Sequence, residues 1–316
     1  MKLSNLVKNN TIQELLINNN DSNKLSKFIK FKEQNILSKN NNRTIFNLNN
    51  NYKSRIRPIV ATGGEIEDIT IDGKLYRIHA FKQVGQDSFN VERIGNITNK
   101  IDCLVIGGGG AGGSNGGGGG GAGGYNYFEY SVSDNTYEII VGAGGKANTH
   151  RNGTRYNGGD GDMSSAFNVV SYGGGGGSAS GAKVSTRRGR NGASGGGGSG
   201  YEGCGSGGYG ISGQGHNGAS GVCSGKRWRD GGGGGAGSPG YKSLSYNVGG
   251  MGGDGIANSI TGQLTFYASG GSGYQQHDST PGGGGASRQS GQINTGGGGG
   301  SYSDGGSGIV LIRYRI

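Results

Sequence analysis

Apolar and polar residues alternate with a period of two from Ile59 onward. Ile66-Glu67-Asp68-Ile69-Thr70-Ile71 is one strand pattern, and Leu75-Tyr76-Arg77-Ile78-His79-Ala80-Phe81 is its partner across Asp72-Gly73, a strong hairpin turn. Ser88 to Ile94 and Lys100 to Ile106 complete four antiparallel candidates, and Tyr137 to Val141 adds a further strand. The far end of the chain supplies another, Gly308 to Tyr314. Strands at both ends of a long insert predict an all-β fold. Its antiparallel β-framework runs over residues of about 59–141 and 308–316 and encloses what lies between.

What lies between has no such alternation. The strand Cys103-Leu104-Val105-Ile106 runs straight into glycine, and Gly107-x-Gly109-x-x-Gly112 matches the spacing of a dinucleotide-binding turn. That site needs an α-helix after its third glycine, with the helix N-terminus facing the pyrophosphate. Here Gly113-Ser114-Asn115 and six more glycines follow, which cannot supply it. Further glycine blocks occupy 173–177, 195–198, 231–235, 282–285 and 296–300. Glycine costs about 1 kcal/mol per residue against alanine in an α-helix. It suits an extended left-handed helix with three residues per turn. Lacking side chains, such helices pack closely and exchange N–H···O=C bonds with several neighbours. The prediction is a bundle of polyglycine II rods, with a hydrogen-bonded backbone core and the other residues on loop ends and outer faces.

Composition sharpens this picture. The chain has 78 Gly among 316 residues, 30% hydrophobic residues and 3 Pro. Collagen is excluded, because there is no strict Gly-X-Y period and proline is scarce. All the glycine lies from Gly63 onward, and charge divides at nearly the same place. Residues 1–57 carry eleven Lys/Arg against Glu14, Asp21 and Glu33, whereas the rest is close to neutral. Two domains are expected: an Asn/Lys-rich basic arm, 1–58, and a glycine-rich domain, 59–316. In the arm, Thr11 with Glu14 spells a capping box and Leu25-Phe28-Ile29 an amphipathic turn, so the arm is expected to be short and partly helical. It is read as a docking or attachment segment, with nucleic acid the less favoured partner. No secretory apolar core and no membrane span are expected.

Candidate chemistry is sparse. His79, His150, His216 and His277 are scattered without metal-ligand spacing, so no enzyme, metal or cofactor is expected. Asp160 and Asp162 flank Gly161 without the remaining ligands of a calcium loop and read as a turn. Cys204 and Cys223 could pair, but the odd cysteine count favours free thiols. Candidate recognition loops hold Arg187, Arg188 and Arg190; Arg227, Trp228 and Arg229; and Tyr274, His277 and Asp278. Arginine beside aromatic faces suits sugar or anionic ligands. The competing reading is that these aromatics seal the ends of the bundle or a contact between subunits.

Several motifs occur in a fixed order: Ala61-Thr62-Gly63-Gly64, Tyr76 to Phe81, Leu104-Val105-Ile106 with its glycines, Val141 to Gly145, Asn157 to Phe167, and Asn294 to Tyr314. This order resembles the glycine-rich domain of phage tail-fibre and adhesin proteins and of large-virus surface proteins, over about residues 60–316. The resemblance implies a β-framework carrying polyglycine II helices in a virion. On it rest two expectations. One is a structural virion protein (capsid-surface, fibre or tail), homo-oligomeric and attached to other virion proteins through residues 1–58. The alternative is a receptor-binding adhesin that recognises host-surface glycans or proteins through the loops.

Overall fold

A computed structural model describes residues 57–96, 98–148, 155–181, 187–201, 203–223 and 229–316. Residues 1–56 of the basic arm, with its expected helical turns, lie outside the described residues. Twelve strands are described: β1 (Val60–Thr62), β2 (Glu65–Ile71), β3 (Lys74–Phe81), β4 (Gly85–Arg93), β5 (Lys100–Ile106), β6 (Tyr125–Ser131), β7 (Thr136–Val141), β8 (Ser164–Ala166), β9 (Val169–Ser171), β10 (Ile256–Asn258), β11 (Thr265–Tyr267) and β12 (Ile309–Arg315). No α-helix occurs among the described residues. The fold is all-β.

The strands form two five-stranded antiparallel sheets, ordered β1-β4-β7-β8-β9 and β2-β3-β12-β5-β6, with β10-β11 as a separate hairpin. The last strand inserts between two early ones: Ile312 faces His79 on β3 and Cys103 on β5. The framework is therefore closed by the chain's far end, as the alternation predicted. The β2–β3 turn is the expected hairpin, with Ile71 opposite Lys74 and both Asp72 (φ 48) and Gly73 (φ 71) in the left-handed region. The framework reaches further than 59–141 and 308–316. Strands β8 and β9, only three residues each, were too short to show a period.

The two sheets share one core, in which Phe89, Val91, Ile139 and Val141 of the first meet Phe81, Cys103, Val105, Val310 and Ile312 of the second. The alternate residues Leu104, Ile106, Ile309 and Leu311 pack instead with Ile260, Tyr267 and Ala122. Strands β5 and β12 are thus buried on both faces, which explains their unbroken apolar runs. His79 is fully buried in the first core. The Gly63 carbonyl, 2.7 Å from Nδ1, can only accept, so Nδ1 carries the proton and Nε2 accepts from the Tyr314 hydroxyl at 2.9 Å. This is a structural histidine, and burial lowers its pKa.

From this framework the glycine rods extend. After β5 the chain runs out along 107–113, turns at 114–117 and returns along 118–124 into β6. Gly107, Gly110 and Gly113 donate to the carbonyls of Gly124, Gly121 and Gly118 at 2.8–3.0 Å. The returning rod donates on three faces in strict rotation. Gly118, Gly121 and Gly124 donate to Ser178, Gly175 and Tyr172; Gly119 and Ala122 to Gly231 and Gly234; Gly120 and Gly123 to Gly299 and Gly296. It accepts on three others, from Gly113 and Gly110, from Gly197 and Ser194, and from Gly271. Donors recurring every third residue, with six neighbours around one rod, are the packing of polyglycine II. None of the glycines in 107–113 or 118–124 has a positive φ.

Side chains cannot enter this lattice at most positions. A Cβ on Gly119 would lie against the Gly271 carbonyl, and one on Gly120 against that of Gly110, both inside the 3.0 Å that real Cβ atoms essentially never breach. The expectation that all other residues sit on outer faces needs correction. Ala111, Ala122, Ser178, Ser180 and Ser194 are fully buried within the bundle. They are the smallest side chains, and each fits where a neighbouring rod leaves a gap.

Candidate functional site

The rods' outer ends, away from the framework, meet in one network. Ser180 donates its N–H to the Ser114 carbonyl and its Oγ to the Gly116 carbonyl at 2.7 Å. The same hydroxyl lies 2.9 Å from Asp230 Oδ1 and 2.9 Å from Ser199 Oγ, so its single proton is shared between the Gly116 carbonyl and the carboxyl. Gly250 donates to the Asp230 carbonyl, Gly273 to Gly250, and Tyr302 to Gly113. Residues 114–116, 180, 199–200, 230, 250, 273 and 302 therefore lie together at the tip. Loops leaving these points belong to the same end.

Of the three candidate loops, the flanking or described residues 181, 187, 229–230 and 273–278 lie at this tip. The structure brings their described parts to one end of the bundle. Arg187 donates through Nε to the Gly181 carbonyl at 2.9 Å. Arg229 donates to the Ser243 carbonyl at 3.3 Å, and its guanidinium lies 5.5 Å over the Tyr246 ring. Tyr274 meets Tyr302 edge-on at 5.9 Å, and Arg288 lies over both rings at 5.6 and 6.0 Å. His277 and Asp278 are exposed beside them. Arg188 turns back along the flank of the bundle, where it covers the Tyr209 ring at 4.9 Å and Tyr209 bonds to Gly192. Arg190 is held on the side of the bundle by Asp160, Nε to Oδ1 at 2.7 Å, and so serves the lattice. Arg227 and Trp228 lie outside the described residues.

Sequence reasoning missed three members of this surface. Arg288, Tyr302 and Tyr246 stand alone in short polar loops, and only the register of the rods reveals that those loops share an end. Arg288 (φ 66), Tyr302 (φ 70) and Gln275 (φ 59) all adopt the left-handed backbone region, which non-glycine residues rarely enter. A second feature corrects an expectation: Cys204 and Cys223 form a disulfide, with Cα atoms 5.0 Å apart. The rods at 205–208 and 218–221 hold them side by side, through Gly221 donating to Gly205 and Gly218 to Gly208. The odd thiol is Cys103, buried in β5.

Beneath the tip loops Asp230 is fully buried. Its Oδ1 accepts from Ser180 Oγ and from the Gly200 N–H, each at 2.9 Å, while Oδ2 has no partner. Burial pushes its carboxyl up to about 7, against the lowering effect of those hydrogen bonds. Burial also raises the Tyr302 phenol, with Tyr274 adding to it. No cluster of three metal-ligating side chains exists among the described residues. A cavity of about 500 Å³ opens elsewhere, between turns lined by Gly213, His216, Asn217, Ala236 and Pro239. Among the described residues that line it, His216 is the one titratable side chain.

Two antiparallel sheets thus bear a polyglycine bundle in which one rod bonds to six neighbours, with loops joining the rod ends. A glycine-rich domain family model matches residues 88–315, and the chain belongs to that family. No curated protein matches it. No helix among the described residues is long and apolar enough to cross a membrane.

Proposed function

We propose that the protein is a structural component of a virion surface, attached to other virion proteins through residues 1–58, whose polyglycine bundle carries a recognition tip. The observation that supports this reading is the gathering of residues 180–181, 187, 229–230 and 273–278 at the end away from the framework. Rods held by hydrogen bonds on up to six sides form a stiff spacer, and stiffness fixes where the loops sit. The resemblance in motif order supports the virion setting. Mass spectrometry and immunogold labelling of purified particles, with antibodies to residues 1–56 and to the tip loops, test it. Tip antibodies labelling the outside of intact particles are expected; absence of the chain from particles would sink the proposal.

A second reading treats the tip as a buried contact with further copies of the chain. It draws support from Tyr274 and Tyr302, which are half-buried against each other and shielded by Arg288. The two readings separate on one variant. Trp228→Ala combined with Lys226→Gln, Arg227→Gln and Arg229→Gln is expected to abolish attachment of the full chain to host cells while leaving assembly intact. Lost assembly with unchanged attachment would favour the buried contact.

A further inference from the structure

The glycine-rich unit is electrically polarised along its rods. The framework, residues 59–141 and 308–316, carries ten carboxylates against seven Lys/Arg. Several of these carboxylates pair locally: Asp68 with Arg77 at 2.7 Å, Glu65 with Lys82 and Glu129 with Lys100 at 2.6 Å, and Asp102 with Arg313 at 2.6 Å. The opposite end is cationic. Its described charges include Arg155, Arg187, Arg188, Arg229, Lys242 and Arg288, against exposed Asp278 and the buried Asp230. Arg155 lies over Gly181 at the tip.

These cations are presented in a particular way. Arg188, Arg229 and Arg288 each lie over a tyrosine ring, and Arg187 and Arg229 are steadied by loop carbonyls. A guanidinium on an aromatic face keeps its outward N–H groups for a second partner, in a fork that matches a carboxylate or phosphate. The tyrosines add ring edges and hydroxyls beside it. Moreover, the pairs sit on separate rod ends rather than in the single file that stacked bases of one nucleic-acid strand require.

We propose that the tip binds an anionic polysaccharide, its carboxylate or phosphate groups taken by Arg155, Arg229 and Arg288 and its sugar faces by Tyr246, Tyr274 and Tyr302. This rests on the reading of the tip as a recognition surface.

The test uses the full chain and three polymers: heparin and polygalacturonate as anionic probes, dextran as the neutral one. Arg155→Gln/Arg229→Gln/Arg288→Gln removes three charges at the tip. Lys74→Gln/Lys82→Gln/Lys100→Gln removes three from the framework, and matched melting curves establish that both variants fold. The tip variant is expected to weaken binding of the anionic polymers about tenfold, as three half-exposed charges should. The framework variant should stay within about twofold of the parent, and added salt should weaken the parent's binding. Equal losses in both variants would overturn the proposal by assigning the binding to general charge or to the basic arm. Duplex DNA bound as tightly through the same arginines would overturn the carbohydrate assignment, as would dextran bound as well as heparin. Should particles attach to a neutral glycan or a protein through the tip, this inference falls while the attachment reading stands.

Discussion

Asp230 makes the stability of the tip depend on pH in a direction opposite to that of most carboxylates. Its side chain is fully buried, with Oδ1 held by Ser180 and Gly200 and Oδ2 without a partner. Burial raises its carboxyl from 3.8 to about 7. The folded chain therefore keeps this proton over about three pH units in which the unfolded chain has lost it, a linkage of ~4 kcal/mol. The contribution is complete below pH 3.8, declines as pH rises, and is gone above about 7. Asp230→Asn keeps an acceptor for Ser180 and Gly200 but cannot ionise. Urea unfolding of the parent and of Asp230→Asn, from pH 4 to pH 8, isolates this contribution as the difference between the two curves. The parent should lose stability relative to the variant across that range, and the difference should level off above about pH 7. Parallel curves, or a parent that gains stability on the variant as pH rises, would refute the burial argument.

Further predictions follow from the lattice and the cysteines. Gly119→Ala drives a methyl into the Gly271 carbonyl and is expected to cost about 3 kcal/mol or more, read as a fall in melting temperature. Gly73→Asn, in an open turn at φ 71 that asparagine tolerates, should cost less than about 1 kcal/mol by the same measurement. With Cys204 and Cys223 paired, thiol titration of the unreduced chain should find no reactive thiol in the native state and one, Cys103, after denaturation. Reduction should then lower stability by about 3 kcal/mol, the entropy of a loop of this length, and three thiols before reduction would contradict the pairing.

The framework was legible where strands were long and alternating. Ile66–Ile71 and Leu75–Phe81 showed both their period and their turn, and Cys103–Ile106 with Ile309–Tyr314 showed the unbroken apolar run of strands covered on both sides. Strands β8 to β11 hide because three residues cannot establish a period. The rods were legible as a class, since a run such as Gly117–Gly121 excludes helix, and the missing helix after Gly112 marked that stretch as a rod and not a βαβ turn. Which rods are neighbours was not legible, because glycine carries no face. The candidate site inherits that limit. Arg187, Arg229 and Tyr274 stood out by composition, whereas Arg288, Tyr302 and Tyr246 join them only through hydrogen-bond register. The same register, by setting the rods around 205–208 and 218–221 side by side, made a disulfide of two cysteines that their spacing left ambiguous.

The buried alanines and serines of the bundle have a consequence for how the chain finds its fold. A rod made only of glycine looks the same after a one-residue slide and a third of a turn, so its hydrogen bonds cannot tell correct alignment from a shifted one. Ala111 and Ala122, each fully enclosed, break that sameness: a slid rod would carry its methyl group into a neighbour's carbonyl. They act as index marks on otherwise blank rulers. Changing both to glycine leaves every backbone hydrogen bond available and removes the marks. The expected result is a chain that still collapses into a bundle but samples several alignments of it.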